Sequence, residues 1–282
     1  MFAGPYLAPM TQPAARAEAK PPEIAARLVS ARLDARSLDA FPGAQPTTLE
    51  QGYLIQEVAI HLWPDEIAGW KIGLVPPPLR ENLGSDRVAG PIFSRAVHKA
   101  KGVVEFPVFD GGFAAVEAEY VFRMGRDAPE GKVSWTDDEA AALVAAMHIG
   151  VETAGSPMSF INDLGPTVVA SDFGNNAGLI LGSEVRDWRK RLPELHAKTE
   201  IDGKVVGEGA VMGLPGGPLA GLRFLLAHLA MRNRPLQVGQ YVSSGAVTGV
   251  HDIVDGQSSR LSFGGDGEIL CKAVRAKPAG AK

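Results

Sequence analysis

Two glutamates separated by a single residue stand out in the run Val116-Glu117-Ala118-Glu119-Tyr120-Val121-Phe122. Side chains of a strand alternate between faces. Val116, Ala118, Tyr120 and Phe122 would therefore share one face and the two carboxylates the other, about 6.5–7 Å apart at the backbone. Like charges so placed need water or a cation beside them. The pattern reads either as the solvated outer face of an edge strand or as part of a cation site. Glu152 bears on the choice, because it lies in His148-Ile149-Gly150-Val151-Glu152, an apolar run that reads as a short buried strand. An acid buried there needs a partner. Three converging carboxylates suit a hard divalent cation, Mg²⁺ or Mn²⁺, which takes oxygen ligands and keeps water positions open. Zinc is not expected, since the chain has neither an HExxH nor a CxxC pattern.

Other reactive side chains sit in similar settings. Lys71 lies inside the glycine-flanked run Gly69-Trp70-Lys71-Ile72-Gly73-Leu74. It reads either as a snorkelling lysine or as a cation that binds an oxyanion or moves protons. Asp172, Asn175 and Asn176 lie between two strand-like runs, where polar residues usually form a turn but where functional loops also occur. His148 is expected at the C-terminus of a helix, favoured there by the helix dipole, with a metal-ligand role as the alternative. The stretch Gly213-Leu214-Pro215-Gly216-Gly217-Pro218 opens a helix but matches neither phosphate-binding glycine pattern, so no nucleotide site is expected.

The elements that position these residues divide the chain in two. Pro21 and Pro22 introduce a helix carrying Ile24, Leu28 and Leu33. Thr47 with Glu50 has the spacing of a capping box for a second helix, which runs to about Leu62. Beyond Trp63-Pro64, short β-branched runs alternate with Gly, Pro and Asp. They are expected as strands near residues 103–106, 116–122, 149–152, 167–170, 179–181, 198–206, 241–244, 261–263 and 269–274. Asp202-Gly203 marks a hairpin. Two helices interrupt the strands, one capped by Thr136 and Glu139 and running to about His148, the other spanning Pro218 to Met231. The reading is a small helical N-terminal part followed by a β-rich domain, with a flexible tail over residues 1–20.

Composition narrows the function. The chain has 282 residues, 45% hydrophobic and 21% charged, which is ordinary globular usage. A net charge of −4 and the lack of a long basic run argue against a nucleic-acid partner. No apolar stretch approaches the ~18 residues of a membrane span. The single cysteine, Cys271, fits a reducing compartment, and a cytoplasmic protein is expected.

The order of motifs is itself informative. The Lys71 run comes first, then Val116-Glu117-Ala118-Glu119-Tyr120, Gly150-Val151-Glu152 and the Asp172 loop ending at Leu179-Ile180-Leu181-Gly182. The helix after Gly216-Gly217-Pro218 and Ser244-Gly245-Ala246-Val247-Thr248-Gly249 follow. Together they resemble the fumarylacetoacetate hydrolase superfamily over about residues 21–275. With Thr48-Leu49-Glu50-Gln51-Gly52-Tyr53-Leu54-Ile55-Gln56, the chain looks like the 2-keto-4-pentenoate hydratase/4-oxalocrotonate decarboxylase branch. The resemblance implies an α+β fold in which a helical region (21–80) precedes a mixed β-roll catalytic domain (81–275) and a short tail (276–282).

The resemblance also implies roles. Glu117, Glu119 and Glu152 match Mg²⁺ or Mn²⁺ ligands, and Lys71 matches the lysine that faces the substrate. Asp172 matches an acid that shares in proton transfer, while Asn175 and Ser244 fall at substrate-binding positions. The implied activity is hydration of a 2-hydroxy-2,4-dienoate to a 4-hydroxy-2-oxo acid in aromatic catabolism, by a homo-oligomer whose partner is a small 2-oxo or 2-hydroxydienoate acid. A 2-oxo-3-enedioate decarboxylase, an acylpyruvate-type C–C hydrolase and a non-catalytic binding scaffold are the alternatives. The chain departs from the branch at Phe173-Gly174-Asn175-Asn176, where Asn-Ala-Ser-Ser is usual.

Overall fold

The computed structural model describes residues 20–280, so the tail read over residues 1–20 lies, apart from Lys20, outside the described residues. Two helices come first, α1 (Pro21–Leu33) and α2 (Leu49–Leu62). Pro21 and Pro22 occupy the first turn of α1, where a missing N–H costs nothing. The cap of α2 lies one residue later than expected. Thr48 accepts from the Gln51 amide, and Gln51 Oε1 accepts from the Thr47 amide at 2.8 Å. Gln51 thus reaches the amide of the residue before the cap and not that of Thr48 itself, so the reciprocal box expected from Thr47 and Glu50 is not formed.

The remaining elements are β1 (Ile67–Leu74), α3 (Arg80–Leu83), β2 (Arg87–Phe93), β3 (Val97–Lys99), β4 (Val103–Val108) and β5 (Phe113–Met124). Next come α4 (Asp137–Ala142), β6 (Val144–Ser156), α5 (Pro166–Ser171), β7 (Asn176–Glu184), α6 (Trp188–Arg191), β8 (His196–Ile201) and β9 (Lys204–Ala210). The chain ends with α7 (Gly217–Met231), β10 (Tyr241–Ser243), β11 (His251–Asp252), β12 (Ser258–Ser262) and β13 (Glu268–Arg275). The larger sheet has the order β2-β1-β10-β5-β6-β7-β3, with β11 also on β5, and it curls so that β2 approaches β7. The smaller sheet runs β4-β13-β12-β8-β9, and its β8–β9 hairpin turns at Asp202-Gly203, both with positive φ. The α+β class and the helical N-terminal part are as expected.

Two expected elements change type. The Thr136–Glu139 capping box is present, but its helix stops at Ala142, and the alanine-rich continuation through His148 is strand. Alanine's helix preference amounts to less than about 1 kcal/mol per residue. It yields here to continuous pairing with β5. His148 is therefore not a helix C-terminal residue. Its Nδ1 lies 3.2 Å from the Gly182 carbonyl oxygen on β7. Conversely, residues 167–170 form helix α5 rather than strand, opened by Pro166 after a left-handed Gly165.

The larger sheet sorts residues by face. Trp70, Ile72, Ala118, Tyr120, Phe122 and Val151 face the main apolar core, which also takes in Ile24, Leu28 and Ile55 of the N-terminal helices. The opposite face carries a small apolar cluster of Ile92, Val121, Leu179 and Leu181. The charged residues described below share this second face. Gly90 of β2, opposite Lys71 in the ladder, lets the 173–176 loop cross here. A Cβ on Gly90 would meet the Phe173 carbonyl oxygen at 1.9 Å. We expect Gly90→Ala to displace that loop and to cost about 1–3 kcal/mol or more in stability. Urea unfolding measures it, and an unchanged midpoint would show that the crossing is not close.

Candidate metal centre

The register of the sheet brings the three glutamates together. Glu117 pairs directly with Glu152 across the antiparallel β5–β6 ladder, and Glu119 pairs with Gly150, so all three point to one face. A carboxylate oxygen from each lies within 4.8 Å of the others, and all three residues are buried. The solvated-edge reading of Glu117 and Glu119 is therefore excluded, since β5 runs between β10 and β6.

Lys71 joins the same face through the parallel β1–β10 ladder, where it pairs with Ser243, which in turn pairs with Val121 of β5. Its Nζ lies 3.2 Å from Glu152 Oε1 and donates to Asn175 Oδ1 at 3.3 Å. It does not snorkel: the residue is 4% exposed. Burial disfavours its charge, but Glu152, then Glu117 and Glu119, outweigh that and raise its pKa, so it remains an ammonium.

The glutamates are not fully satisfied by protein. Glu119 Oε2 accepts from the Ser243 hydroxyl and from the Gly245 amide at 2.9 Å, leaving Oε1 buried without a partner among the described residues. Glu152 Oε1 accepts from Asn176 Nδ2 at 3.2 Å as well as facing Lys71, and among the described residues its Oε2 also has no partner. Unpaired buried acceptors cost about 1–3 kcal/mol each, more when charged. Burial, then the charge of Glu152, pushes Glu117 up to about 8 despite Lys71. Glu119 is raised well above the usual range by burial, then by Glu152 and Glu117. One lysine among three acids leaves a negative cluster whose free oxygens fit a hard divalent cation.

The other expected site residues fall in different places. Asn175 reaches Lys71, and its Nδ2 donates to Asn162 Oδ1 at 3.2 Å. The structure does not bring Asp172 to Lys71. Its Oδ1 accepts from Arg32 Nε at 2.6 Å and its Oδ2 from the Ser156 hydroxyl at 2.6 Å, a closed, buried arrangement. Ser244 donates to the Tyr120 carbonyl at 2.6 Å, and it is the preceding serine, Ser243, that meets Glu119. Ser243, Asn162 and Arg32 were not singled out from the sequence. A strand at 241–244 was expected, and alternation along it would have put Ser243 and Ser244 on opposite faces; which face meets Glu119 depends on pairing with β1 and β5.

Asn176, which bonds Glu152, also lines a cavity of about 320 Å³ whose wall includes Phe173, Trp63, Phe93 and Phe109. Its lining includes neither Lys71 nor the glutamates.

No family model matches the chain. The TodF product hydratase of Pseudomonas putida is 26% identical over 238 residues, covering 82% of this chain and 86% of that protein. Among solved structures, 4-oxalocrotonate decarboxylase from Pseudomonas putida G7, complexed with magnesium and adipate, aligns with a TM-score of 0.76 at 20% identity. The alignment covers 90% of this chain and 97% of that one. Fumarylpyruvate hydrolase from Pseudomonas aeruginosa, in complex with Mn²⁺ and pyruvate, aligns with a TM-score of 0.52 at 16% identity. There the coverage is 73% of this chain and 89% of the other. These structural likenesses establish the fold.

A carboxyl whose pKa is higher in the folded than in the unfolded state contributes stability that is complete below the unfolded value. That stability is lost as pH rises through the folded value. For Glu117 the interval runs from 4.5 to about 8. The metal-free melting temperature should therefore fall as pH rises across it, and Mn²⁺ should restore most at the alkaline end. Glu119→Gln should flatten the fall, hold or raise metal-free stability, and lower Mn²⁺ affinity by orders of magnitude. A lower melting temperature with Mn²⁺ affinity intact would instead identify Glu119 as a structural ion-pair acid, whose loss costs about 3–5 kcal/mol.

Proposed function

We propose that this chain, which has the fumarylacetoacetate hydrolase fold and resembles its hydratase/decarboxylase branch, is a divalent-metal-dependent hydratase. Its substrate would be a 2-hydroxy-2,4-dienoate and its product a 4-hydroxy-2-oxo acid. The observation that carries the reading is the buried trio Glu117, Glu119 and Glu152, with two orphaned oxygens and Lys71 on the same sheet face. The likeness to the TodF product hydratase along most of both chains supports hydration. The assigned cation is Mg²⁺ or Mn²⁺, the ions named with two of the structures of like fold.

When bound, such a cation supplies Lewis-acid stabilisation of negative charge on the substrate's 2-oxygen. The chain's own residues handle position and protons. Glu119 and Glu152 present free oxygens from a rigid pair of neighbouring strands, so the ligand geometry needs little reorganisation. Lys71, fixed by Glu152 and Asn175, offers an Nζ proton where the dienol becomes a conjugated ketone. In that step C5 gains a proton from Nζ and the 2-hydroxyl proton restores the ammonium, so no net proton is taken up or released. Water then adds as hydroxide at C4 and a proton at C3, which balances the hydration. Asp172 is not given a proton-transfer role, because Arg32 and Ser156 occupy both its oxygens. Decarboxylation of a 2-oxo-3-enedioate is the second reading. It would use the same electron sink, and the neighbour with a bound dicarboxylate favours it.

A substrate panel of dienoates, 2-oxo-3-enedioates and acylpyruvates with Mg²⁺ or Mn²⁺ separates the reactions. Hydration of the dienoate with metal and its loss in EDTA are expected, while CO₂ release alone supports the second reading. Full activity in excess EDTA removes the metal from the mechanism. Lys71→Met should lower turnover per bound metal far more than it lowers Mn²⁺ affinity. The reverse pattern would place Lys71 among the groups that hold the cation.

A further inference from the structure

We propose that Arg32, on the N-terminal helix α1, is a positioning residue that determines which oxygen of Glu152 is left free for the cation. The inference rests on the metal-dependent reading above. Arg32 Nε donates to Asp172 Oδ1 at 2.6 Å and Nη1 to the Asn176 carbonyl at 3.0 Å. Nη2 donates to the Gly155 carbonyl at 2.9 Å and the Asp172 carbonyl at 3.1 Å. One guanidinium thus ties the end of β6, the residue that closes α5 and the first residue of β7.

The clamp falls at one of two irregularities in the β6–β7 ladder. The β6–β7 ladder shifts register between Thr153 and Ala154, and such irregularities leave the ladder locally disrupted. Arg32 supplies donors to carbonyls of both strands at that point. Its guanidinium also lies over the Phe173 ring at 5.2 Å and the Phe109 ring at 5.9 Å, which helps fix its plane.

Asn176 carries the effect to the centre. With its carbonyl held by Arg32, its Nδ2 donates to Glu152 Oε1 at 3.2 Å. Lys71 Nζ approaches the same oxygen at 3.2 Å. Oε1 is thereby committed to protein, and Oε2 is left without a partner among the described residues. If the clamp is released, the amide that selects between the two oxygens loses its fixed position. Lysine at position 32 would preserve a charge for Asp172, but as a point charge on a flexible stem it cannot reproduce the four-way fork.

The test measures Mn²⁺ binding, by the electron paramagnetic resonance signal of free Mn²⁺, together with thermal melts of the full chain. Arg32→Lys should remain folded yet bind Mn²⁺ about 10–100-fold more weakly, the usual effect of removing a group that orients a ligand. Arg32→Met combined with Asp172→Asn removes both buried charges together, so neither is stranded. It should recover stability without recovering affinity, a split that a purely structural ion pair would not produce. Undiminished Mn²⁺ affinity in either folded variant overturns the proposal. Should both melt below the assay temperature, Asn176→Ser leaves the backbone carbonyl on Arg32 and removes the amide's bonds to Glu152 and to the Gly178 carbonyl. Weakened binding there supports the inference, and native affinity overturns it. Wild-type chain that binds no Mn²⁺ sinks the metal reading and this inference together. Wild-type chain that binds Mn²⁺ but hydrates no panel acid sinks the reaction alone.

Discussion

Three carboxylates and one ammonium are buried on the same face of a sheet, and much of the structure follows from that imbalance. Lys71 can neutralise only part of the charge of Glu117, Glu119 and Glu152. Burial first, and then the remaining carboxylate charge, raise the pKa values of Glu117 and Glu119. Burying such a cluster is costly, and it persists because the surrounding sheet over-determines it. Glu117 and Glu152 are neighbours by ladder register, while the Ser243 hydroxyl and Gly245 amide hold Glu119 on one oxygen only. The same arrangement that makes the centre unfavourable without a cation makes it preorganised for one.

Much of this was legible in the sequence because strand alternation is strict. A Glu-x-Glu pair in an apolar run can face only one way together, and Lys71 between glycines could be placed on a strand without tertiary information. Register could not be read in that way. Which residue of β6 stands opposite Glu117, and whether Ser243 or Ser244 faces Glu119, depends on pairing between segments far apart in the chain. The alanine-rich approach to Glu152 shows the same limit from another side. Local propensity there favours helix, and non-local pairing with β5 decides for strand. His148 moves with it from the expected helix end to the middle of a strand.

Arg32 is the instructive omission. It lies on the buried stripe of α1 with Ala25, Leu28 and Val29, so an arginine on an apolar helical face was visible as an anomaly. Spacing alone says that such a residue needs acceptors, without saying where they are. The acceptors belong to Asp172, Asn176 and Gly155, more than a hundred residues away. The N-terminal helices therefore act on the centre through its supporting residues, and none of the three glutamates is theirs.

The loop at Phe173-Gly174-Asn175-Asn176 brings these constraints together. Three successive residues, Phe173, Gly174 and Asn175, have positive φ. Glycine takes that conformation freely and asparagine tolerates it, but phenylalanine does so only under compensation. Phe173 has it in edge-on packing with Trp63 and Phe93 and in the Arg32 guanidinium above its ring. What the strained turn achieves is placement of the Asn175 amide, whose oxygen accepts from Lys71 while its nitrogen donates to Asn162. A primary amide presents acceptor and donor on separate atoms that point in different directions. The serine usual at this position in the branch has a single oxygen on a shorter side chain. The aromatic anchor, the close crossing at Gly90 and the amide on Lys71 all belong to this one turn, so a change that moves its backbone moves the amide with it.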